Sequence, residues 1–319
     1  MFRKFILVYL LTFSLVIQAS ENVSVLFLGD MMFDRGVGVT ARKNGYEYVF
    51  GPATTTIAKH DLTVVNLEGP ITNYKSKLIL DNGKAISGFQ FTFASTTASA
   101  IKKAGIDIVS LANNHTDNFG QTGLNQTREY LRNNNIQYFG SPINTLDNIA
   151  TTTCVKDICI GLIGWHEFSY KGDVNVSNKI KEFKEKGLDY IIVYPHWGVE
   201  YKNKPNQKQI KLAHRWLDEG ADIVIGSHPH VVQSIEKYKD KYIFYSLGNF
   251  IFDQYFSFDT THGIGVSLNL NKDKSKFSYE LIPFSSVGSR VSVPSEENIK
   301  KISDILLGVS DKDLVKIYR

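Results

Sequence analysis

Short apolar runs recur along the chain, bounded by glycine and polar turns, and stretches of helical spacing separate them. Residues 23–28, 62–67, 106–111, 136–139, 190–194 and 223–225 read as strands, and residues 89–93 alternate like an exposed strand. Helices are predicted over residues 46–59, from a Ser95 cap to Ala104, and over 123–133 and 179–186. A further helix spans 206–219, with Gly220 as its stop. Strands dominate after that. Residues 242–246, 265–270 and 276–283 are predicted to pair antiparallel, before a terminal helix over 296–307. The alternation of strand and helix implies a layered α/β fold. No linker, repeat or low-complexity stretch divides it, so residues 20–319 are expected to form a single domain.

Residues 1–19 read differently. Arg3 and Lys4 precede an apolar run from Phe5 to Ile17, followed by Gln18, Ala19 and Ser20. That run is short for a membrane span and suits a secretory signal peptide cleaved after Ala19; the alternative is an uncleaved N-terminal anchor. Either reading makes the protein exported, periplasmic or otherwise extracytoplasmic. Export gives meaning to the two cysteines. If Lys156-Asp157 is a two-residue hairpin turn, Cys154 faces Cys159 in a close cross-strand pair, and an oxidising compartment permits a disulfide. Two cysteines also exclude any Cys-rich metal module. The net charge of +4 is too small to argue for a nucleic-acid partner.

Five apolar strands end in residues able to bind metal: Asp30, Glu68, Asn114 with His115, His196, and His228 with His230. Carboxyl ends of strands are where open α/β sheets build their sites. Carboxylate, amide oxygen and neutral imidazole together suit one or two divalent ions such as Zn, Mn or Fe. His228 and His230 lie two apart, so an extended loop would point both to one side. Such a site can activate water and stabilise an oxyanion at a carbonyl or phosphoryl centre. Other chemistries lack their motifs: there is no Gly-x-Ser-x-Gly elbow and no phosphate-binding Gly-Lys-Ser/Thr loop.

These motifs resemble those of the CapA family, the poly-gamma-glutamate capsule biosynthesis proteins. Gly29-Asp30-Met31-Met32-Phe33-Asp34-Arg35 is similar to the family's opening, and Asn66-Leu67-Glu68 to its next motif. Asn113-Asn114-His115, His196-Trp197-Gly198-Val199-Glu200-Tyr201, Gly226-Ser227-His228-Pro229-His230 and Gly248-Asn249-Phe250 follow in order. The family in turn resembles the calcineurin-like metallophosphoesterases. The resemblance implies two face-packed mixed β-sheets flanked by helices, a four-layer sandwich around a metal site. It implies that Asp30 and His230 serve a first metal, that Glu68 bridges, and that Asn114, His196 and His228 serve a second. His115 would be an acid or a transition-state stabiliser, and Arg35 would hold substrate carboxylates. Met32 stands where the phosphoesterase pattern has a histidine, so the first metal is expected to be held weakly. His166, Glu167 and His262 fall outside the shared motifs and are expected to be structural or rim residues.

The implied function is a metal-dependent hydrolase or transferase in capsule biosynthesis, acting on poly-gamma-glutamate or a related anionic envelope polymer. Membrane capsule-synthesis proteins are the implied partners. Two other readings remain open: a non-catalytic polymer assembly or export factor, and a general periplasmic metallophosphoesterase.

Overall fold

The computed structural model describes residues 22–76, 80–81, 84–85, 90–274 and 277–317. The expected signal peptide, residues 1–19, lies outside them. In chain order the strands begin with β1 (Val23–Met31), β2 (Leu62–Leu67), β3 (Leu80–Asp81), β4 (Lys84–Ala85), β5 (Ile108–Ser110), β6 (Gln137–Phe139), β7 (Ala150–Val155) and β8 (Ile158–His166). They continue with β9 (Tyr190–His196), β10 (Ile223–Ile225), β11 (Ile235–Tyr238), β12 (Lys241–Phe244), β13 (Asn249–Ile251), β14 (His262–Leu270), β15 (Ser278–Val287) and β16 (Arg290–Ser292). The helices are α1 (Arg35–Asn44), α2 (Tyr46–Phe50), α3 (Ala53–Ile57), α4 (Thr96–Lys103), α5 (Gly120–Asn133), α6 (Val174–Glu185), α7 (Gln207–Glu219), α8 (Phe258–Thr261) and α9 (Glu296–Leu307).

Among the described residues, one sheet runs β16-β15-β14-β1-β2-β5-β6, with β13 also paired to β1, and the other runs β11-β12-β10-β9-β8-β7. Both are mixed. β1, β2, β5 and β6 are parallel in the first sheet, and β8, β9, β10 and β12 in the second. The period-2 alternation of side chains sorts each strand between two cores. Leu26 and Leu28 of β1 pack outward with Val37, Phe50 and Ile101 of the helical layer, while Val25 and Phe27 meet Ile160, Leu162 and Ile192 of the opposite sheet. On the far side, Ile191 and Val193 of β9 pack outward against Phe183, Trp216 and Leu217 of α6 and α7. The result is helices, sheet, sheet, helices: the expected four-layer sandwich of two face-packed mixed sheets.

Several boundaries differ from expectation for local reasons. The helix expected over 46–59 is two short ones, because Gly51 (φ +50°) and Pro52 interrupt it. Helix α1 follows Asp34, whose carboxylate accepts from the Arg35 N–H, within a segment too rich in glycine and valine to read as helix. Ser95 makes no side-chain cap, whereas Asn206 and Gln209 form a full capping box on α7. Of residues 89–93, position 89 lies outside the described set. Phe91 and Phe93 are buried, with Phe93 bridged to Ile71 alone, so this is no exposed strand. β12 is antiparallel to β11 but parallel to β10, which places it inside the second sheet. The hairpin is as expected: Cys154 pairs with Cys159 across the strands, Cα atoms 4.1 Å apart, and the two are disulfide-bonded.

Candidate metal centre

All five strand ends come to one edge of the sandwich. Asp30 ends β1, Glu68 follows β2, and Asn114 and His115 follow β5; His196 ends β9, and His228 and His230 follow β10. The first three strands belong to one sheet and the last two to the other, so the site lies where the sheets' carboxyl ends converge. Asp30, Glu68, His196, His228 and His230 are all buried.

The structure brings the implied ligands close together, with Asp30, Glu68 and His196 offering ligand atoms within 4.8 Å of one another and His228 lying beside His230. Asn114 Oδ1 lies 2.8 Å from His196 Nε2, which is 3.1 Å from His228 Nδ1. His230 Nδ1 is 3.5 Å from Asp30 Oδ2, and its Nε2 is 3.6 Å from Glu68 Oε1. The loop carrying His228 and His230 is not extended, however. Both residues have positive φ, +98° and +57°, which is sparsely populated for a side chain with a Cβ. Backbone bonds hold this conformation: His228 N donates to Asp30 Oδ2, and Tyr201 N to Pro229 O.

Side-chain amides that the sequence reading did not single out position the cluster. Asn66 Nδ2 donates to Asp30 Oδ1 at 2.7 Å, and Asn66 Oδ1 accepts from Asn113 Nδ2. Asn249 Nδ2 donates to the Thr260 carbonyl, so its Oδ1 faces His230 Nδ1 at 2.9 Å. An amide oxygen only accepts, so the His230 proton sits on Nδ1 and Nε2 presents its lone pair toward Glu68. The motif residue Asn249 was therefore legible in the sequence but without a role. Ser227 Oγ lies 3.0 Å from His196 Nδ1.

A cation suits this arrangement. Both Glu68 carboxylate oxygens are buried and accept no hydrogen bond among the described residues, although each would be costly to leave bare. Acceptor therefore faces acceptor between Glu68 and His230. Burial, then the neighbouring Asp30 and Glu200 charges, push the Glu68 carboxyl well above its usual range. Burial likewise raises Asp30 to about 7. Burial holds His196 far below its ordinary value, helped by the adjacent histidines, and lowers His230 to about 4. Neutral imidazoles are the form that binds a metal, and a divalent ion would supply the positive charge that keeps the buried Asp30 and Glu68 carboxylates ionised.

His115 departs from this group, as expected. Its ring packs on Phe91, centroids 4.3 Å apart, and Nδ1 lies 3.2 Å from Asn118 Oδ1. Phe91 N also donates to Asn118 Oδ1, which fixes that atom as oxygen and the His115 proton on Nδ1. Nε2 is then the free acceptor. Arg35 (φ +49°) is ion-paired to Asp253, and its guanidinium lies 4.9 Å and 5.5 Å from the Phe91 and Phe252 rings. Both residues line a cleft of about 750 Å³ with Glu68, Asn114, His230, Glu200, Tyr201 and Phe256. Met32 takes no part: it is fully buried in the helix-side core, and its sulfur accepts from Asp34 N. His166 and His262 bond to the Pro142 and Phe258 carbonyls, and Glu167 Oε2 accepts from Gly198 N. These are structural roles, in accord with the sequence.

The family model described as bacterial capsule synthesis protein PGA_cap matches residues 24–254, the span that carries every ligand named above. The chain belongs to the PGA_cap family. It is 33% identical over 255 residues to the capsule biosynthesis protein CapA of Bacillus anthracis and 31% identical over 255 residues to the PGA biosynthesis protein CapA of Bacillus subtilis. Each match covers 74% of this chain, but 61% and 65% of those relatives' lengths. Among solved structures, a phosphatase from Mycoplasma pneumoniae superposes with a TM-score of 0.56 at 14% identity, covering 88% of this chain and 97% of that one. That likeness establishes a metallophosphoesterase-like fold. In this PGA_cap member the residues fit a divalent ion, and the side chains that hold them in place lie within the same matched span.

Proposed function

We propose that this protein is an exported, divalent-metal-dependent hydrolase or transferase acting on poly-gamma-glutamate or a related anionic polymer during capsule biosynthesis. The observation that carries the reading is Glu68, whose two buried oxygens have no hydrogen-bond partner among the described residues and whose Oε1 lies 3.6 Å from the acceptor nitrogen of His230 in an open cleft. Asp30, Glu68 and His230 would hold one ion, and Glu68, Asn114, His196 and His228 a second. Bound there, a divalent ion acts as a Lewis acid that activates water and stabilises charge developing on a carbonyl or phosphoryl oxygen.

The chain's own groups supply the rest. Arg35, fixed by Asp253 and flanked by aromatic rings, offers a carboxylate of the substrate a guanidinium partner. His115 Nε2 would accept the proton lost by the attacking water or substrate amine and pass it to the leaving group. Asn66 and Asn249 keep Asp30 and His230 oriented, so that binding costs little rearrangement. The names of the two Bacillus relatives, a capsule and a PGA biosynthesis protein, support the polymer as substrate class; the partners we propose are membrane capsule-synthesis proteins. The apolar run from Phe5 to Ile17 and the Cys154–Cys159 disulfide support export, since cytosolic thiols are kept reduced. We take residues 20–319 as one domain, because both sheets contribute ligands to one site.

Metal analysis of purified protein, followed by assays on a gamma-glutamyl oligomer and a generic phosphodiester, tests the reading. Bound metal with amide cleavage or transfer supports it. Metal with phosphodiester turnover alone replaces it by a general phosphoesterase, and absence of both leaves a polymer-holding assembly factor.

A further inference from the structure

Glu200 brings one more carboxylate to the histidine side of the cleft. It lies in the turn after β9, and that turn is tied to the loop bearing His228 and His230. Trp197 N donates to Ser227 O at 3.0 Å, and Tyr201 N to Pro229 O at 2.8 Å. Tyr201 (φ +62°) and Gly198 (φ +96°) give the turn the curvature that returns Glu200 toward the cleft. One carboxylate oxygen of Glu200 and one ring nitrogen each of His228 and His230 lie within 4.8 Å of one another.

A second observation is independent of that grouping. Glu68, buried and with no hydrogen-bond partner for either oxygen among the described residues, points at the same imidazole, its Oε1 3.6 Å from His230 Nε2. Glu200 and Glu68 line the same cleft, close enough for the Glu200 charge to be felt at Glu68. The guanidinium in this cleft, Arg35, is ion-paired to Asp253. Two carboxylates and two neutral imidazoles thus converge on a space that a divalent ion with mixed oxygen and nitrogen ligands would fill.

We propose that Glu200 is a metal ligand at the open side of the cluster, joining His228 and His230 and giving the ion held by His230 the fourth protein ligand that Met32 does not supply. The inference rests on the metal-centre reading above and reverses one expectation drawn from the sequence. Asp30, Glu68 and His196 lie within 4.8 Å of one another in the same way, so with Glu200 joining His230 at the open side the first ion is no longer the weak one. Because Glu200 is exposed at the cleft mouth, its carboxylate can also yield its place to a substrate carboxylate while the buried ligands stay fixed.

The test compares wild type with Glu200→Ala and Glu200→Gln. Each purified chain is loaded with Mn²⁺ or Zn²⁺, dialysed against a mild chelator, and measured for bound metal and for affinity by chelator competition. Wild type should keep about two ions per chain, as expected for two four-ligand sites. Glu200→Ala should keep about one, with the lost ion bound roughly tenfold or more weakly. Glu200→Gln, which retains an oxygen but not the charge, should fall between them. Thermal unfolding of the metal-free forms should coincide, because the altered side chain is exposed. Equal metal content and equal affinity in wild type and Glu200→Ala would overturn the Glu200 assignment alone. Wild type that retains no metal would overturn both this assignment and the metal centre.

Discussion

Asp30, Glu68 and Asn114 reach the site from β1, β2 and the loop after β5 in one sheet, whereas His196, His228 and His230 follow β9 and β10 in the other. Apart from the Glu200 carboxylate proposed above, one sheet supplies oxygen donors and the other supplies nitrogen donors. The two sides are also held differently. The oxygen side rests on buried side-chain amides, with Asn113 bonded to Asn66 and Asn66 to Asp30. The nitrogen side adds backbone to side-chain contacts from Asn249 and Ser227, with two histidines at positive φ pinned by bonds to Asp30 and Tyr201. Amide networks hold a position without strain, whereas a left-handed backbone stores strain that the surrounding structure must offset. Asn66 spans the divide, its Nδ2 lying 3.3 Å from His196 Nδ1 as well as bonding Asp30.

The largest effect should come from deleting one ligand on either side. Glu68→Ala and His228→Ala should each strip metal and lower turnover by roughly 10³-fold or more, because charge stabilisation at the reacting centre goes with it. Metal content measured beside far-UV circular dichroism checks this. A site built jointly by both sheets requires both variants to lose metal while keeping the fold. Metal retained in Glu68→Ala but not in His228→Ala would confine binding to the nitrogen side.

A smaller effect belongs to His115, which sits on the oxygen-side sheet but turns away from the cluster to Phe91 and Asn118. His115→Ala should keep its metal and lose roughly 10²–10⁴ in rate, the usual contribution of a positioned acid or base. Steady-state kinetics beside metal analysis separates the two roles. Metal loss as complete as in His228→Ala would make His115 a ligand.

The sequence made the strand ends legible because a buried strand must be apolar, and a polar residue at its carboxyl end stands out. Asp30, Glu68, Asn114, His196, His228 and His230 were all visible in that way, and the structure brings them together. The left-handed backbone at His228 and His230 was not visible, since nothing in Ser-His-Pro-His marks positive φ. Helix α1 was hidden as well. Its two glycines argue against helix, yet a Cβ at Gly38 would lie 2.8 Å from the Phe33 carbonyl, so the backbone leading into the helix dictates glycine there. Asn66, Asn249 and Glu200 lay inside recognisable motifs, but their roles depend on which side chain stands opposite, and one sequence does not specify that.

Acid titration should tell the buried histidines from the buried carboxylates because their shifts have opposite signs. Burial lowers His115, His166 and His230 to about 4, and His196 and His228 further, so in metal-free protein the unfolded chain binds protons that the native state refuses. Their contribution makes stability rise with pH from about 4 to about 6.5, where the unfolded histidines finish titrating. Asp30 and Glu68, raised by burial, act in the opposite sense over the same range. The histidines outnumber them, so metal-free protein should melt at lower temperature at pH 5 than at pH 7. Glu68→Gln should steepen that dependence by removing one opposing group. Melting temperatures for both proteins across this range check the sign, and a flat profile would mean that the carboxylates balance the histidines.

The hairpin at the amino end of β8 supplies the control. β8 runs from Ile158 to His166, and its carboxyl end lies beside His196, paired in register. The disulfide is therefore most of a strand away from every ligand. Closing so short a loop should restrict the unfolded chain by about 2 kcal/mol on the chain-entropy model. Removing it with paired Cys154→Ser and Cys159→Ser changes should lower stability by about that amount. Metal content and turnover should stay unchanged, because Lys156 and Asp157 form the turn at the opposite end from the site. Denaturant unfolding and metal analysis of the double variant check the two halves of this prediction separately. If the variant also lost metal, the nitrogen side would depend on the tension of the whole second sheet, and the strained loop at His228 and His230 would not be held by its local bonds alone.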